Sequence, residues 1–164
     1  MKIDPAHTAA LMSLLDRRPY FALLGMRFRA MDPGYCRIDT DFTQSIHGNA
    51  FGAVHGGVYA SLIDSAAYWA LYCQMPEDQG YTSLDLNVTN LAAVRRGKLI
   101  TEARVVRSGR SIAISEATVK DENGRLLAYG TAKLMCLEGK QSIQDLLSEA
   151  GEDVTLPPKF LPSG

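Results

Sequence analysis

The sequence predicts an α+β domain in which one long helix is enclosed by a curved antiparallel sheet. Residues 57–73 are apolar on nearly every side, as expected of a helix that other elements surround. From residue 81 onwards the hydrophobic period changes to two, and several strand candidates follow one another. One enclosed helix followed by consecutive strands is typical of the α+β class.

Before the long helix, the pattern predicts one short helix and two strands. Residues 4–16 form the helix, because Asp4 can cap it, a proline suits its first turn and three leucines share one face. Pro19 is expected to end it. Residues 26–31 and 35–42 alternate as strands do, and a Pro-Gly pair between them marks a turn.

After the long helix, the strand candidates are residues 81–91, 98–107, 111–121 and 125–137. The motifs RRG, SGR and ENG between them are short turns that suit antiparallel neighbours. Beyond the last strand, residues 142–151 predict one short helix, and the proline-containing end is expected to be mobile.

We therefore expect three segments: an N-terminal helix at 1–19, the main domain at 20–140 and a C-terminal tail at 141–164. One helix cannot cover both faces of the sheet. The remaining apolar face favours assembly with a second copy, because large bare apolar patches are rare on monomers.

Composition and charge exclude several function classes. The chain has 164 residues, and its 46% hydrophobic and 21% charged content is ordinary for one globular domain. A net charge of −1 offers no field that attracts nucleic acid or an anionic membrane. No stretch has the length of a membrane span or the pattern of a signal peptide.

The cysteines and histidines argue against a metal or disulfide framework. Cys36, Cys73 and Cys136 are odd in number, lie far apart and form no CxxC pair, which fits a reducing cytoplasm. His7 and His47 are expected to be solvated, and neither has companion ligands for a metal site.

Asp64 is the unusual residue of the long helix, because an unpaired acid is costly to bury in an apolar run. It is either catalytic or a structural acid satisfied by Ser61, Tyr68 or a neighbouring strand. The His-Gly-Gly motif before the helix offers bare backbone N–H groups, with the positive end of the helix dipole behind them. His55 in that motif can cap the helix or fix the loop.

The combined motifs resemble one enzyme family. The pattern N-x5-HGG-x6-D, followed by S-x-D-x-N, a G-x-L strand and a GR turn, is similar to that of the hot-dog-fold acyl-CoA thioesterases. The phenylacetate-pathway (PaaI-like) type matches best, over roughly residues 20–137. The resemblance implies a hot-dog fold and a homodimer that assembles into a homotetramer. It also implies hydrolysis without a metal or redox cofactor, since coenzyme A enters only as part of the substrate.

The resemblance also implies roles for single residues. It places the catalytic carboxylate, as general base or nucleophile, at Asp64 and the oxyanion-binding backbone N–H at Gly56. Asn49 matches a side chain that helps to hold the thioester carbonyl or the water, and Ser83 matches a hydroxyl that assists the carboxylate. His55, just before Gly56, is expected to support the oxyanion loop.

The coenzyme-binding turn of the family falls on Arg107, Ser108, Gly109, Arg110 and Ser111. Arg95 belongs to a second dense basic spot, and arginine forks suit the phosphates of coenzyme A. One departure from the family pattern is visible at residues 92 and 93, where two alanines stand at the place of a common proline. This departure affects the expected shape of the coenzyme-binding loop.

The residue types fit thioester hydrolysis, which needs an activated water or nucleophile and donors aimed at the developing oxyanion. Glycine at position 56 lets a carbonyl approach the backbone closely. Ser83 is harder to place, because simple strand alternation sends its side chain away from the helix. A bulge or the curl of the sheet would bring it back.

Two other function classes share the expected fold. A hydratase or dehydratase of acyl thioesters uses a His and an acid in a DxNPxH-like motif, which this sequence lacks. A non-catalytic acyl-CoA-binding protein is expected to have lost the carboxylate, whereas Asp64 is present. The acyl group is not predicted, because Tyr59, Tyr68, Trp69 and Tyr72 can line an aromatic pocket or simply pack the core.

Overall fold

Six antiparallel strands and a long central helix organise the protein, whose computed structural model describes residues 2–77, 79–137, 142–149 and 151–162. The elements are α1 Pro5–Leu15, α2 Pro19–Leu23, β1 Met26–Asp32, β2 Tyr35–Asp41, α3 Gln44–His47, α4 Gly56–Tyr72, β3 Gly80–Asn90, β4 Lys98–Ser108, β5 Ile112–Asp121, β6 Leu126–Leu137 and α5 Ile143–Glu149. The sheet order is β1-β2-β4-β5-β6-β3. The predicted α+β architecture is confirmed.

Helix α4 is the core of the fold, and its predicted span is correct to within one residue at each end. Leu62, Ile63 and Ala66 are completely buried against the sheet. The helix approaches β6 closely at Gly130, where an added Cβ would lie 3.0 Å from the Ile63 side chain and 2.5 Å from a backbone oxygen of β3. A glycine is therefore needed where α4 crosses the sheet.

The connection from β3 to β4 differs from the prediction, because its RRG turn does not join neighbouring strands. Strand β3 pairs with β6 and forms one edge of the sheet, whereas β4 lies between β2 and β5. The amides of Leu91 and Ala92 both donate to the Leu127 carbonyl oxygen, at 2.9 and 3.0 Å, so the chain stays beside β6 before it crosses. The SGR and ENG turns join antiparallel neighbours as predicted.

The first helix has the predicted cap, but it ends before Pro19. The Asp4 carboxylate accepts a hydrogen bond from the Ala6 amide at 2.8 Å, and α1 ends at Leu15. Pro19 instead begins the short helix α2, where the missing N–H of proline costs nothing. Leu11 and its neighbouring leucines bury one face of α1 in the common core.

The proline-containing end is packed, so the expectation of a mobile tail is wrong. Phe160 forms a bridge with Ile3, and the Asp4 amide donates to the Lys159 carbonyl oxygen at 2.9 Å. Lys159 is buried with its ammonium 3.9 Å from the centre of the Tyr72 ring, and this burial lowers its pKa to about 8. The predicted helix at 142–151 is observed as α5, Ile143–Glu149. Residue 150 and the expected boundary between residues 140 and 141 lie outside the described residues.

His7 and His47 are buried, which contradicts the expectation that both are solvated. The His7 Nδ1–H donates to the Pro157 carbonyl oxygen, and its Nε2 lies 2.7 Å from the Tyr72 hydroxyl. The His47 ring also has a hydrogen-bond partner at each nitrogen. Burial is tolerated because both polar nitrogens of each ring are paired.

The described residues contain neither a cluster of metal-ligating side chains nor a helix that could span a membrane. No group of three or more His, Cys, Asp or Glu side chains is placed so that it could hold a metal ion. No helix in the described ranges is long and apolar enough to cross a membrane.

Candidate active site

Asp64 lies on α4 and is held by a hydrogen bond from β3. The Ser83 hydroxyl donates to Asp64 Oδ1 at 2.9 Å, while Oδ2 has no partner among the described residues. Ser61, one turn earlier, instead donates to the Gly57 carbonyl oxygen. Asp64 is only partly buried. It is therefore a carboxylate with one oxygen fixed and one oxygen available.

A bulge in β3 explains how Ser83 reaches the helix. Ser83 is paired with Leu134 and Asp85 with Lys133, so Leu84 is an extra residue and its side chain is 53% exposed. The bulge considered in the sequence analysis is confirmed. Bulges of this kind re-aim side chains next to active sites.

His55 caps α4 and leaves one amide free at the helix N-terminus. Its Nδ1 accepts a hydrogen bond from the Gly57 amide at 2.9 Å, and its carbonyl oxygen accepts from the Val58 amide. The Gly56 amide has no acceptor in the described part of the chain. The cap interpretation of His55 is confirmed, and the free amide is the one that the sequence analysis assigns to an oxyanion.

Asn49 organises the loop that leads to α4. Its Oδ1 accepts hydrogen bonds from the amides of Phe51 and Ala53, at 2.9 and 3.1 Å. Its Nδ2 lies 3.5 Å from the Val54 carbonyl oxygen, which is the limit of a hydrogen bond. The side chain therefore fixes the loop, and its expected contact with the thioester or the water stays a prediction.

One chain does not bring Gly56 and Asp64 to a common point. Both lie on α4, eight residues apart, which corresponds to about 12 Å along the helix axis. A reacting carbonyl needs both the oxyanion donor and the catalytic group within about 3 Å. The site in a single chain is thus divided into an Asp64–Ser83 half and a Gly56 half.

An open pocket of about 300 Å³ lies beside Gly56, between the start of α4 and the end of β3. Tyr59 borders it and donates to the Ala92 carbonyl oxygen at 3.0 Å, which fixes the loop without the family's proline. Burial raises the pKa of Tyr59 to about 12, so this donor keeps its proton. Asn90 also lines the pocket. It was not among the residues predicted from the sequence, although it is a polar residue on the strand face that Leu86 and Val88 share.

The two basic spots lie at opposite ends of β4. The segment from Arg107 to Ser111 covers the end of β4 and the turn to β5, and its Gly109 is required because an added Cβ would lie 2.7 Å from the Ile112 carbonyl oxygen. Arg95 precedes β4 and borders a pocket of about 600 Å³ that Arg125 also lines. Most of β4 lies between the two spots, and the strand rise places Lys98 and Arg107 about 30 Å apart, so one chain does not join them.

Comparison with known proteins identifies the family of the chain. Residues 51–128 match the family model described as the thioesterase superfamily. A protein of Halobacterium salinarum named "Putative esterase" is 32% identical over 115 residues, which cover 68% of this chain and 76% of that protein. The chain belongs to the thioesterase superfamily. The matched range contains Gly56, Asp64 and Ser83 and begins just after Asn49.

Two further comparisons agree with this assignment. Acyl-coenzyme A thioesterase 13 of Homo sapiens is 31% identical to this thioesterase over 86 residues, which cover 51% of this chain and 61% of that protein. The solved structure of a thioesterase family protein from Silicibacter pomeroyi has a TM-score of 0.73 and 26% identity, covering 81% of this chain and 99% of that one. The thioesterase has the hot-dog fold and is a thioester hydrolase.

Proposed function

We propose that this thioesterase hydrolyses acyl-CoA thioesters to the free acid and coenzyme A, as the PaaI-like type does. The observation that carries the proposal is the 2.9 Å hydrogen bond from Ser83 to a partly exposed Asp64. A carboxylate held at one oxygen, in a thioester hydrolase, has the position and chemistry of a catalytic group. The name of the human relative supports coenzyme A esters as the substrate class.

The proposed reaction uses Asp64 as general base or nucleophile. As base, its free Oδ2 takes a proton from water while the water oxygen attacks the thioester carbonyl carbon. The Gly56 amide donates to the oxygen on which negative charge develops. The intermediate then expels the thiolate, which takes the proton from Asp64. As nucleophile, Asp64 would attack the carbonyl carbon, and the intermediate would expel the coenzyme A thiolate to leave an anhydride. Water would then hydrolyse the anhydride to the free acid and the Asp64 carboxylate, and the proton released would neutralise the thiolate.

The proposed site needs two copies of the chain, because one copy keeps its Asp64–Ser83 half and its Gly56 half too far apart to act on one carbonyl. Gly57, Ala60, Ser61 and Asp64 form a partly exposed stripe on α4, and their small size permits close approach of a second helix. Strand β3 also lies at an edge of the sheet. An antiparallel arrangement of two α4 helices places Asp64 of each copy opposite the Gly56 of the other. We propose such a homodimer as the catalytic unit, assembled further into a tetramer.

The test combines a substrate panel with Asp64→Asn. We expect the wild-type protein to release free thiol from at least one of short, medium, long, phenylacetyl and hydroxybenzoyl coenzyme A esters. Asp64→Asn should lower kcat by on the order of 10²-fold or more, because an amide can act neither as base nor as nucleophile. Its melting temperature should be unchanged or raised. Asp85→Asn is the matched control and should keep wild-type activity. Asp85 is an exposed acid on the same strand, β3, and forms an ion pair with Lys133.

Two outcomes would contradict the proposal. If Asp64→Asn keeps activity within a few-fold of wild type, Asp64 is structural. If no ester on the panel is hydrolysed but coenzyme A esters bind tightly, the protein is an acyl-CoA-binding member of its superfamily.

A further inference from the structure

Asn90, the last residue of β3, lies close to Gly56, the first residue of α4. A Cβ built on Gly56 would be 2.6 Å from Asn90 Nδ2 but 3.9 Å from its Oδ1, so the donor end of the side chain faces the helix N-terminus. The side chain makes no hydrogen bond to any described residue. Asn90 also lines the open pocket beside Gly56. Two unused N–H donors therefore meet at one pocket.

The spacing of these donors suits a single oxygen. A Cβ lies about 2.5 Å from its own backbone nitrogen, so Asn90 Nδ2 is within about 5 Å of the Gly56 nitrogen. One oxygen atom can then lie about 3 Å from both nitrogens, which is the geometry of an oxyanion site. If Asn90 only supported the loop, its amide would be expected to bond a nearby carbonyl oxygen, as Asn49 does.

The bulge at Leu84 explains why β3 can serve both halves of the site. Without it, Ser83 and Asn90 would point to opposite faces of the strand, because they are an odd number of positions apart. The extra residue brings both side chains to the face of α4, Ser83 at Asp64 and Asn90 at Gly56.

We infer that Asn90 is a second oxyanion donor, a catalytic residue that acts beside the Gly56 amide. This inference rests on the proposed function, in which the thioester carbonyl oxygen binds at Gly56. As water or Asp64 attacks the carbonyl carbon, electrons move onto the oxygen, and the Asn90 Nδ2–H group donates to it. The hydrogen bond is strongest in the tetrahedral intermediate, where the oxygen carries its full charge, so it accelerates the reaction more than it aids binding.

The experiment is a kinetic comparison of Asn90→Ala, Asn90→Asp and Asn87→Ala, using the coenzyme A ester that the wild type hydrolyses best. Asn90→Ala should lower kcat by roughly 10²-fold and leave KM within about twofold. Asn90→Asp keeps the shape of the side chain but replaces the donor with a negative charge, so its loss should be at least as large. Asn87→Ala, exposed on the other face of the same strand, should behave as the wild type.

The outcomes separate this inference from the proposed function. If both Asn90 variants keep wild-type kcat, or if they change only KM, the inference is wrong. Asp64→Asn, measured in parallel, should still be inactive in that case, and the proposed function would stand. If Asp64→Asn is also as active as the wild type, the proposed function itself fails. The melting temperature of Asn90→Asp should stay near that of wild type. A fold defect that accounted for the lost activity would overturn the assignment.

Discussion

At the residue scale, the candidate site depends on which polar atoms are occupied and which are free. The His55 Nδ1 accepts a hydrogen bond from the Gly57 amide, so this side chain is occupied as the cap of α4. Among the described residues, one Asp64 carboxylate oxygen and the Gly56 amide have no hydrogen-bond partner. The chemistry is therefore assigned to the groups that the fold leaves unpaired, and the surrounding polar side chains hold them in position.

Ser83 is the group that positions the carboxylate, and its removal tests this role. A hydrogen bond to a charged group contributes about 1.5–3 kcal/mol, so Ser83→Ala should lower kcat roughly ten- to hundredfold. KM should change little, because Ser83 contacts Asp64 on α4. Thr82→Ala, the neighbouring exposed residue of β3, is the control, and thiol release is the measurement. Equal activities of the two variants would show that Asp64 does not need this partner.

At the scale of elements, the sequence predicts which segments are strands and helices better than how they connect. Strand alternation and the apolar α4 are local patterns that follow from burial on one face or on all sides, so they can be recognised in the sequence. The pairing of β3 with β6 depends on residues far along the chain, and a turn motif such as RRG does not encode it. The bulge at Leu84 likewise exists only relative to its partner strand.

The candidate site follows from the sequence only in part. Motif spacing predicts roles for Asp64, Gly56 and Ser83 through the family resemblance, and the structure shows the contact between Ser83 and Asp64. The position of Asn90 could not be derived in this way, since its contact with Gly56 joins the end of one element to the start of another. The sequence feature that points to Asn90 is a polar residue at the position that follows Leu86 and Val88 on the apolar face of β3.

The turn between β4 and β5 carries a prediction about coenzyme recognition. Arg110→Ala should raise KM for coenzyme A esters roughly three- to tenfold with little change in kcat, because an exposed contact with a remote phosphate contributes uniform binding. Esters of pantetheine, which lack the nucleotide, should be unaffected. Arg17→Ala, an exposed arginine after α1, is the control. If Arg95→Ala shows this pattern and Arg110→Ala does not, the phosphates bind at the other end of β4.

At the scale of the whole molecule, the central question is how a site divided in one chain becomes complete. Helix α4 carries Asp64 and Gly56, the two groups proposed to act on the thioester, but its rise keeps them about 12 Å apart. Bending the helix would not solve this, because α4 packs against all six strands of the sheet. A two-fold axis beside α4 solves it, since antiparallel helices exchange the positions of their two ends.

Mixed dimers test this shared site directly. Asp64→Asn and Asn49→Ala homodimers should each be nearly inactive, provided that Asn49 proves essential on its own. Co-expressed, they form mixed dimers in which one site takes Asp64 from one chain and Asn49 from the other, so about a quarter of all sites recover if pairing is random.

Co-expression of Asp64→Asn with Ser83→Ala is the matched control for the mixed dimers. These two residues act on the same half of the site, so their mixed dimers contain no fully native site. The activity of these mixed dimers should not exceed what their sites with Asp64 and the Ser83→Ala substitution provide. Thiol release by purified mixed dimers carrying two different affinity tags is the measurement. Mixed dimers of Asp64→Asn and Asn49→Ala that remain as inactive as their parents would exclude the shared site.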